Sequence, residues 1–553
     1  MSNKQQTMGR GFAVLSISNI LVKVLSMFFV PILRLLLGGS SVYGVYSVSN
    51  TVFAFVYVLA TAGLPVAIAK LVSELVSKKD EKGAERAFRM ARAVMFSMGT
   101  VLTIIMAALS KPIARLMNAE DAWGGILFIA PTIMICSLLS AYKGYFQGRK
   151  NMNPTAISQV MEQFVHMIVS FAMVWILAPY GVVWAVAGAS MGTVAGAFVS
   201  LVFMVYQRKK TTHEDYRHRL SMIRRGEANT LDRVMNSTED HDDVKLTTKD
   251  LLKRIFYYSI PITLNTAITY AGDMIDASVL IGRLQVAGFS EKVSQGLFGD
   301  LNATRQLLNV PTSIISAMCV SILPTMAALH ALKEHGKKSL KANEGYKLCY
   351  LIAVPMTAGF AVFAQAVFTL LGYGANYNLL MALSFSVILQ GTVHLQSSIL
   401  QSINRMFTST LFLLIGASLK LILSYTLASI PGLNIYGAVI STYISFLVPF
   451  VLNQWVLNKK EKMGISVLGN LWRPCLASVF MIMVGFPLYQ ILIGLLPADS
   501  YFSVLFGFGI TVVVCVVVYG YVLIKVGGLT QEDVKEISPA LARRWPKKIK
   551  RIF

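Results

Sequence analysis

The sequence predicts an all-α polytopic membrane protein with about fourteen transmembrane helices. Of its 553 residues, 55% are hydrophobic and only 14% are charged, whereas an ordinary soluble domain has about 25% charged residues. Apolar blocks of about 20 residues follow one another, and each is long enough to cross a hydrocarbon layer of ~30 Å as a helix. This composition excludes a soluble globular enzyme, a disordered chain and a nucleic-acid binder, despite the net charge of +23.

Breaks at glycine, proline and charge clusters separate the predicted spans. The first run is too long for a signal peptide and has no A-x-A-like exit, so we expect it to be retained as a span. The first six spans cover 12–37, 43–68, 91–110, 122–143, 156–178 and 182–206. After a polar stretch come eight more, at 255–282, 305–329, 347–371, 377–402, 408–429, 435–457, 470–495 and 501–525.

The charge of the loops alternates along the chain. Loops after even-numbered spans are rich in Lys and Arg, at 78–89, 143–150, 208–210, 333–338 and 459–462. Loops after odd-numbered spans are nearly bare of charge, as at 38–41, 179–181 and 372–374. The positive-inside rule therefore predicts an even number of spans with both termini in the cytoplasm.

The two halves of the chain resemble each other at a shift near 255 residues. Leu64-Pro65 corresponds to Leu323-Pro324, and the segment at Gln147 corresponds to that at Gln401. Six spans per copy predict a parallel repeat about a pseudo-two-fold axis along the membrane normal, with a cavity between the halves. The predicted organisation is an N-terminal six-helix bundle, a cytoplasmic linker, a C-terminal six-helix bundle, two appended helices and a basic tail. Their ranges are 1–206, 207–254, 255–458, 459–525 and 526–553.

Motifs that could indicate an enzyme have structural explanations. Gly188-Ala-Ser190-Met-Gly192 fits the G-x-S-x-G pattern but lies inside an apolar helix, where its small residues favour helix packing. The five cysteines form no C-x-x-C pair, and the histidines form no metal-spaced cluster. We therefore expect a protein that is not an enzyme and that has no metal site.

Charged residues inside the predicted spans are the candidate functional groups, because ionisable side chains are costly in a membrane and usually face a cavity or a partner. Cations there could hold a di-anionic group such as pyrophosphate. Buried carboxylates could bind Na⁺ or H⁺ and couple ion movement to conformational change. The set comprises Lys23, Arg34, Glu162, His166, Asp273, Asp276, Arg283, Arg305 and Lys420.

Structural alternatives stay open for these residues. Asp273 and Asp276 are three residues apart on one helix face, and Asp276 could pair with Arg283. Arg34 could snorkel to the outer interface. Glu162 and His166, one turn apart, could satisfy each other.

Four segments carry a resemblance to a known family: LVKVLSMFFVPILRLLLG, ATAGLPVAIAKLVSE, YFQGRKNMNPTAISQVMEQF and NVPTSIISAMCVSILPT. They resemble the polysaccharide-transporter branch of the MOP exporter superfamily, and its Gram-positive MurJ/SpoVB-like members in particular. The resemblance implies a flippase for lipid II, the undecaprenyl-pyrophosphate-linked peptidoglycan precursor, in the bacterial cytoplasmic membrane. It also implies a cationic central cavity lined by spans one, two, seven and eight, and a lipid-tail groove formed by the last two spans.

The resemblance also carries over to individual residues. Lys23 lies where the family usually has Arg or Lys, Lys70 matches a basic residue that ends the second span, and Asp276 matches the acidic position of the seventh. Two positions depart from the family: His166 replaces a frequent Arg, and Gln306 replaces a cation, with Arg305 one position earlier. The candidate pyrophosphate-binding residues are thus Lys23, Arg34, Lys70 and Arg305, and the candidate ion-coupling or cavity carboxylates are Asp273, Asp276 and Glu162.

We expect an alternating-access flippase, a monomer in contact with membrane lipids, that has no cofactor and is driven by Na⁺, H⁺ or the membrane potential. One alternative is a flippase for another polyprenyl-pyrophosphate oligosaccharide. Another is a MATE-like multidrug/cation antiporter, which would usually have twelve spans and an acidic, aromatic cavity. A membrane glycosyltransferase is the third, and it would need a carboxylate-bearing loop at one membrane face.

Overall fold

The computed structural model describes residues 8–77, 80–224, 248–495 and 501–529. Throughout these residues the secondary structure is helical, with no β-strand. About half of the predicted cytoplasmic linker, at 225–247, and the basic tail from residue 530 lie outside the described residues.

The described residues divide into two compact units. The first unit comprises the residues before Val30 together with Val45–Met274, and the second comprises Val30–Gly44 and Ile275 onward. The chain therefore passes from one unit to the other at residues 29–30, 44–45 and 274–275, each time within a helix.

The first unit is built from long helices around an aromatic and aliphatic core that includes Phe88, Tyr145 and Phe146. It contains the first part of α1 (Met8–Leu36), most of α2 (Ser40–Thr61), α3 (Leu64–Ser77), α4 (Glu81–Ala108), α5 (Ser110–Leu116), α6 (Ala122–Ile129), α7 (Pro131–Gly148), α8 (Asn153–Leu177), α9 (Val182–Arg224) and most of α10 (Thr248–Val286). A short 3₁₀ turn, Ala178–Tyr180, joins α8 to α9.

The second unit has buried Phe298, Tyr346 and Tyr350 in its core. Besides the ends of α1 and α10 and the start of α2, it contains α11 (Glu291–Ala331), α12 (His335–Val362), α13 (Ala364–Leu371), α14 (Tyr377–Ser384), α15 (Ser386–Ser402), α16 (Met406–Leu427), α17 (Tyr436–Trp455), α18 (Val467–Leu495) and α19 (Tyr501–Lys525). A π-helical turn, Val456–Lys460, extends α17.

Eleven helical segments among the described residues are long and apolar enough to cross a membrane. They correspond in order to eleven of the fourteen predicted spans, namely all except the first, seventh and eighth. Those three predicted spans lie in α1, α10 and α11, which have 29, 39 and 41 residues. A fully helical, multi-spanning membrane protein is therefore confirmed, while the total of fourteen spans stays a prediction.

The second predicted span differs from the prediction because it is two helices. The sequence places Leu64-Pro65 at its end, but α2 stops at Thr61 and Leu64-Pro65 open α3. Proline is well tolerated in the first turn of a helix, where its missing N–H has no intrahelical acceptor. The Gly63 amide at the break donates to Thr263 Oγ1 over 3.1 Å, so α10 satisfies a backbone group that the interruption leaves unpaired.

Helix interruptions recur in the two halves at a nearly constant shift. The break between α4 and α5 at Leu109 corresponds to that between α12 and α13 at Phe363. The α6–α7 junction at Ala130 corresponds to the α14–α15 junction at Phe385. Each pair is separated by 254 or 255 residues. These matched interruptions support the internal repeat, and the pseudo-two-fold relation of its copies stays a prediction.

The two appended helices belong to the second unit. Buried Met481 of α18 and Cys515 of α19 form a small apolar cluster with Phe363, at the α12–α13 junction. The Phe363 ring also packs edge-on against Tyr489 and Phe508. This packing fixes α18 and α19 against the rest of the second unit.

Candidate functional site

Lys23 lies in the part of α1 that belongs to the first unit, within a predicted membrane span. Its side chain is half-buried. Within the described part of the chain no carboxylate pairs with it, whereas Arg34 and Arg305 each pair with one. An ammonium group at membrane depth without an acidic partner is costly unless it faces water or an anion.

Arg34 is held in a buried polar cluster of the second unit. Its Nη2 lies 2.5 Å from Asp300 Oδ1, with side-chain exposures of 8% and 4%. Asn376 Nδ2 donates to the other oxygen of Asp300, and the Arg34 guanidinium lies 5.4 Å from the centre of the Tyr373 ring. Arg34 therefore does not snorkel to the interface, and its charge is neutralised within the protein.

Asp276 is the centre of a second buried cluster, where α10, α11, α16 and α17 meet. Its side chain is fully buried. Lys420 Nζ lies 2.8 Å from Oδ2, and Arg305 donates to the same oxygen. Ser424 donates to Oδ1 over 3.0 Å and is itself 2.7 Å from the Ser441 hydroxyl. Both carboxylate oxygens thus have partners supplied by the protein.

Arg283 does not pair with Asp276, which was one structural alternative from the sequence. Its Nε donates to the carbonyl oxygen of Tyr425 over 3.1 Å. Its guanidinium also lies 4.0 Å from the centre of the Tyr425 ring, within cation–π range. Asp276 is paired instead with Arg305 of α11 and Lys420 of α16.

Glu162 and His166 do not satisfy each other either. Glu162 lies 3.6 Å from Lys143 Nζ, which is on α7. The imidazole of His166 packs against the Phe29 ring with 4.5 Å between ring centres, and its Nε2 has no hydrogen-bond partner among the described residues. Glu162 is therefore part of an interhelical ion pair in the first unit.

The remaining two sequence-predicted residues lie in the first unit. Lys70 is exposed on α3, and Asp273 on α10 is half-buried. Both take part in interactions with neighbouring groups. The structure thus places the seven predicted residues in separate local settings within two units, and within the second unit Asp276 and Arg305 are in direct contact.

Sequence reasoning missed Asp300 and underrated Lys420. Asp300 precedes the predicted start of its span by five residues and was counted with the loop, yet α11 already begins at Glu291. Lys420 lies in the middle of an apolar span, and this position was its only sequence signal. Among the described residues, no group of three His, Cys, Asp or Glu side chains has the geometry of a metal site.

Comparison with known proteins identifies relatives over most of the chain. The sequence model of a family described as "Polysaccharide biosynthesis protein" matches residues 8–330. Stage V sporulation protein B of Bacillus subtilis (strain 168) is 25% identical over 471 residues, covering 84% of this chain and 86% of that protein. Lipid II flippase MurJ of the same organism is 23% identical over 464 residues, covering 79% of this chain and 80% of that protein.

Solved structures with the same fold include two kinds of transporter. The inward closed conformation of a lipid II flippase MurJ aligns with a TM-score of 0.64 at 13% identity, covering 92% of this chain and 98% of that one. An inward-facing multidrug resistance MATE family transporter of the MOP superfamily aligns with a TM-score of 0.60 at 17% identity, covering 80% of this chain and 96% of that one. The predicted fold class is thereby confirmed.

Proposed function

Because the chain belongs to the polysaccharide biosynthesis protein family, we propose that it is a flippase that moves a polyprenyl-pyrophosphate-linked saccharide from the cytoplasmic to the outer leaflet of the bacterial membrane. Lipid II is the substrate we favour, since relatives that cover about four fifths of the chain include a lipid II flippase. The observation that carries the proposal is Lys23, a half-buried cation in the first predicted membrane span that pairs with no carboxylate among the described residues.

The physical problem for such a protein is the charge of the pyrophosphate. A charged group at the centre of a bilayer costs at least several kcal/mol, so unassisted flipping is slow. Lys23 would supply a compensating charge, and charge-assisted hydrogen bonds are about twice as strong as neutral ones. The polyprenyl tail can stay in lipid while the headgroup crosses, and no covalent bond changes.

Two of the other candidate cations, Arg34 and Arg305, would bind pyrophosphate only at a greater cost in free energy. A pyrophosphate could reach Arg34 only by competing with Asp300, and Arg305 only by competing with Asp276. Lys70 is exposed at what we predict to be the cytoplasmic end of the second span. We therefore propose Lys23 as the principal pyrophosphate ligand and Lys70 as an entry contact, with Arg34 and Arg305 binding substrate only in states that open their ion pairs.

A MATE-like antiporter of small cations is the second candidate, because that fold aligns almost as well. Helices α18 and α19 argue against it, since twelve-span antiporters lack an appended pair, whereas the flippase structure covers a larger share of this chain. A cation substrate would also be repelled by Lys23.

A leaflet-resolved measurement of lipid II in cells depleted of this protein tests the proposal. We expect lipid II to accumulate in the inner leaflet and to return to the outer leaflet on re-expression. An unchanged lipid II distribution with inner-leaflet accumulation of another polyprenyl-linked saccharide would transfer the same mechanism to that substrate. If the leaflet distributions of all such lipids are unchanged, the proposal that this protein is a flippase is refuted.

A further inference from the structure

The coordination of Asp276 is complete without any ligand from outside the chain. Oδ2 is shared by the Lys420 ammonium, at 2.8 Å, and the Arg305 guanidinium. Oδ1 accepts a hydrogen bond from Ser424. Before the structure is known, a buried intramembrane carboxylate is a candidate site for an exchangeable Na⁺ or H⁺. Here the position beside the carboxylate is taken by a side chain.

Lys420 reaches Asp276 because the packed face of α16 carries it there. The buried residues of α16 follow helical spacing, with Gly416 and Ser424 one turn on either side of Lys420. A Cβ at Gly416 would lie 2.3 Å from the carbonyl oxygen of Ser445 on α17, so the two helices cross in close contact. Lys420 is 4% exposed, which makes it part of this helix interface and keeps it away from lipid.

Apart from the two cationic side chains, the groups around Asp276 are oxygen ligands. The carboxylate and the hydroxyl of Ser424 are in contact, and the hydroxyl of Ser441 follows at 2.7 Å from Ser424. Hard cations such as Na⁺ bind to carboxylate and other oxygen donors. Exchanging the Lys420 ammonium for one Na⁺ would leave the net charge of the cluster unchanged, because each carries a single positive charge.

We propose that Lys420 is a tethered cation that fills an alkali-cation position at Asp276, and that it is the residue which makes this position insensitive to Na⁺. Removing the ammonium exposes a Na⁺ site formed by Asp276, Ser424 and Ser441. The consequence for transport rests on the proposed function: a flippase with this arrangement takes its driving force from something other than Na⁺ bound at Asp276. The cation site itself can be tested without a transport assay.

The experiment measures thermal unfolding of the purified full-length protein in NaCl and in choline chloride at equal ionic strength. We expect the midpoint of wild type to be the same in both salts. For Lys420→Ala we expect the midpoint to be higher in NaCl, by roughly 1 °C at a Na⁺ concentration about ten times Kd. Lys420→Arg keeps the charge and should behave like wild type, and Asp276→Asn added to Lys420→Ala should abolish the Na⁺ effect.

Two results would overturn the inference. One is a Na⁺-specific stabilisation of wild type that Asp276→Asn removes, since it would show that Lys420 does not exclude the ion. The other is a folded Lys420→Ala protein with no Na⁺ dependence. If that variant aggregates, Lys420→Met retains most of the stem: a monodisperse protein in NaCl but not in choline chloride supports the inference, and aggregation in both salts counts against it. None of these outcomes depends on whether lipid II is the substrate.

Discussion

Arg34 and Asp300 form a buried ion pair between the end of α1 and α11, with 2.5 Å between Nη2 and Oδ1. The two residues are 266 positions apart in the chain. Asn376, which precedes α14, donates to the second oxygen of the same carboxylate. Three distant segments of the second unit are therefore joined at one carboxylate.

Breaking this pair should destabilise the protein strongly. Asp300→Asn leaves the Arg34 charge buried without its counter-ion, and removal of one partner of a buried pair typically costs about 3–5 kcal/mol. Thermal or denaturant unfolding of the purified protein measures the loss. Arg115→Ala is the matched control, because the Arg115–Glu120 pair is 71% and 75% exposed and exposed pairs contribute about 0–1 kcal/mol. Equal losses for the two variants would contradict the buried role of Arg34–Asp300.

Gly44 should not tolerate a side chain. A Cβ at Gly44 would lie 1.9 Å from the carbonyl oxygen of Gln295, where α2 crosses α11. We expect Gly44→Ala to lower the yield of folded protein and its unfolding midpoint, because the backbones would have to separate. Gly296→Ala is the control, since a Cβ there would first meet Ser40 Oγ at 3.5 Å, an ordinary contact. A Gly44→Ala protein of normal stability would contradict the close contact between the backbones of α2 and α11.

The first unit has a stacked arginine whose replacement by lysine should be costly. Arg208 pairs with Glu85, and its guanidinium lies 4.1 Å from the ring centre of Tyr145 and 5.4 Å from that of Phe88. Lysine keeps the charge but loses the planar fork and the stacking. We expect Arg208→Lys to lose about 1–2 kcal/mol of stability, against no measurable loss for Lys209→Arg at the exposed neighbouring position. If Arg208→Lys is as stable as wild type, charge alone stabilises this contact.

The predicted topology can be tested by labelling of introduced cysteines. Tyr180, 73% exposed, ends the short turn between α8 and α9, which we predict to be outside. Lys337 lies in the first turn of α12, in a basic segment that we predict to be inside. We expect Tyr180→Cys to react with a membrane-impermeant thiol reagent in intact cells and Lys337→Cys to react only after permeabilisation. The background should be low, because four of the five native cysteines are buried. The reverse labelling pattern would show that the topology is opposite to the predicted one.

Apolar runs and their breaks predicted most of the helices well because they are properties of single segments. The break at Phe363 was harder to predict, since it falls inside an apolar run, whereas the break at Leu109 lies at the end of a predicted span and is followed by Pro112. Helix α11 was predicted too short for a related reason: its first turns, from Glu291, are polar and read as loop.

The partners of the intramembrane charges could not be predicted from the sequence. Asp276 and Arg283 have helical spacing, and this local pattern suggested a pair. The observed partner Lys420 is on α16 and comes into contact only when the helices pack. Spacing along one helix says nothing about such contacts, whereas the cost of an unpaired charge in a membrane predicts only that partners exist.

The measurement that tests the central claim most directly is transbilayer movement of labelled lipid II by purified protein in proteoliposomes, with variants at Lys23. We predict that Lys23→Ala reduces the rate at least about tenfold, the equivalent of ~1.4 kcal/mol of lost stabilisation of the crossing pyrophosphate. Lys23→Arg should retain most of the activity, and the control Lys210→Ala, at an exposed position, should be unaffected. A folded Lys23→Ala protein that moves lipid II at the wild-type rate would contradict the account.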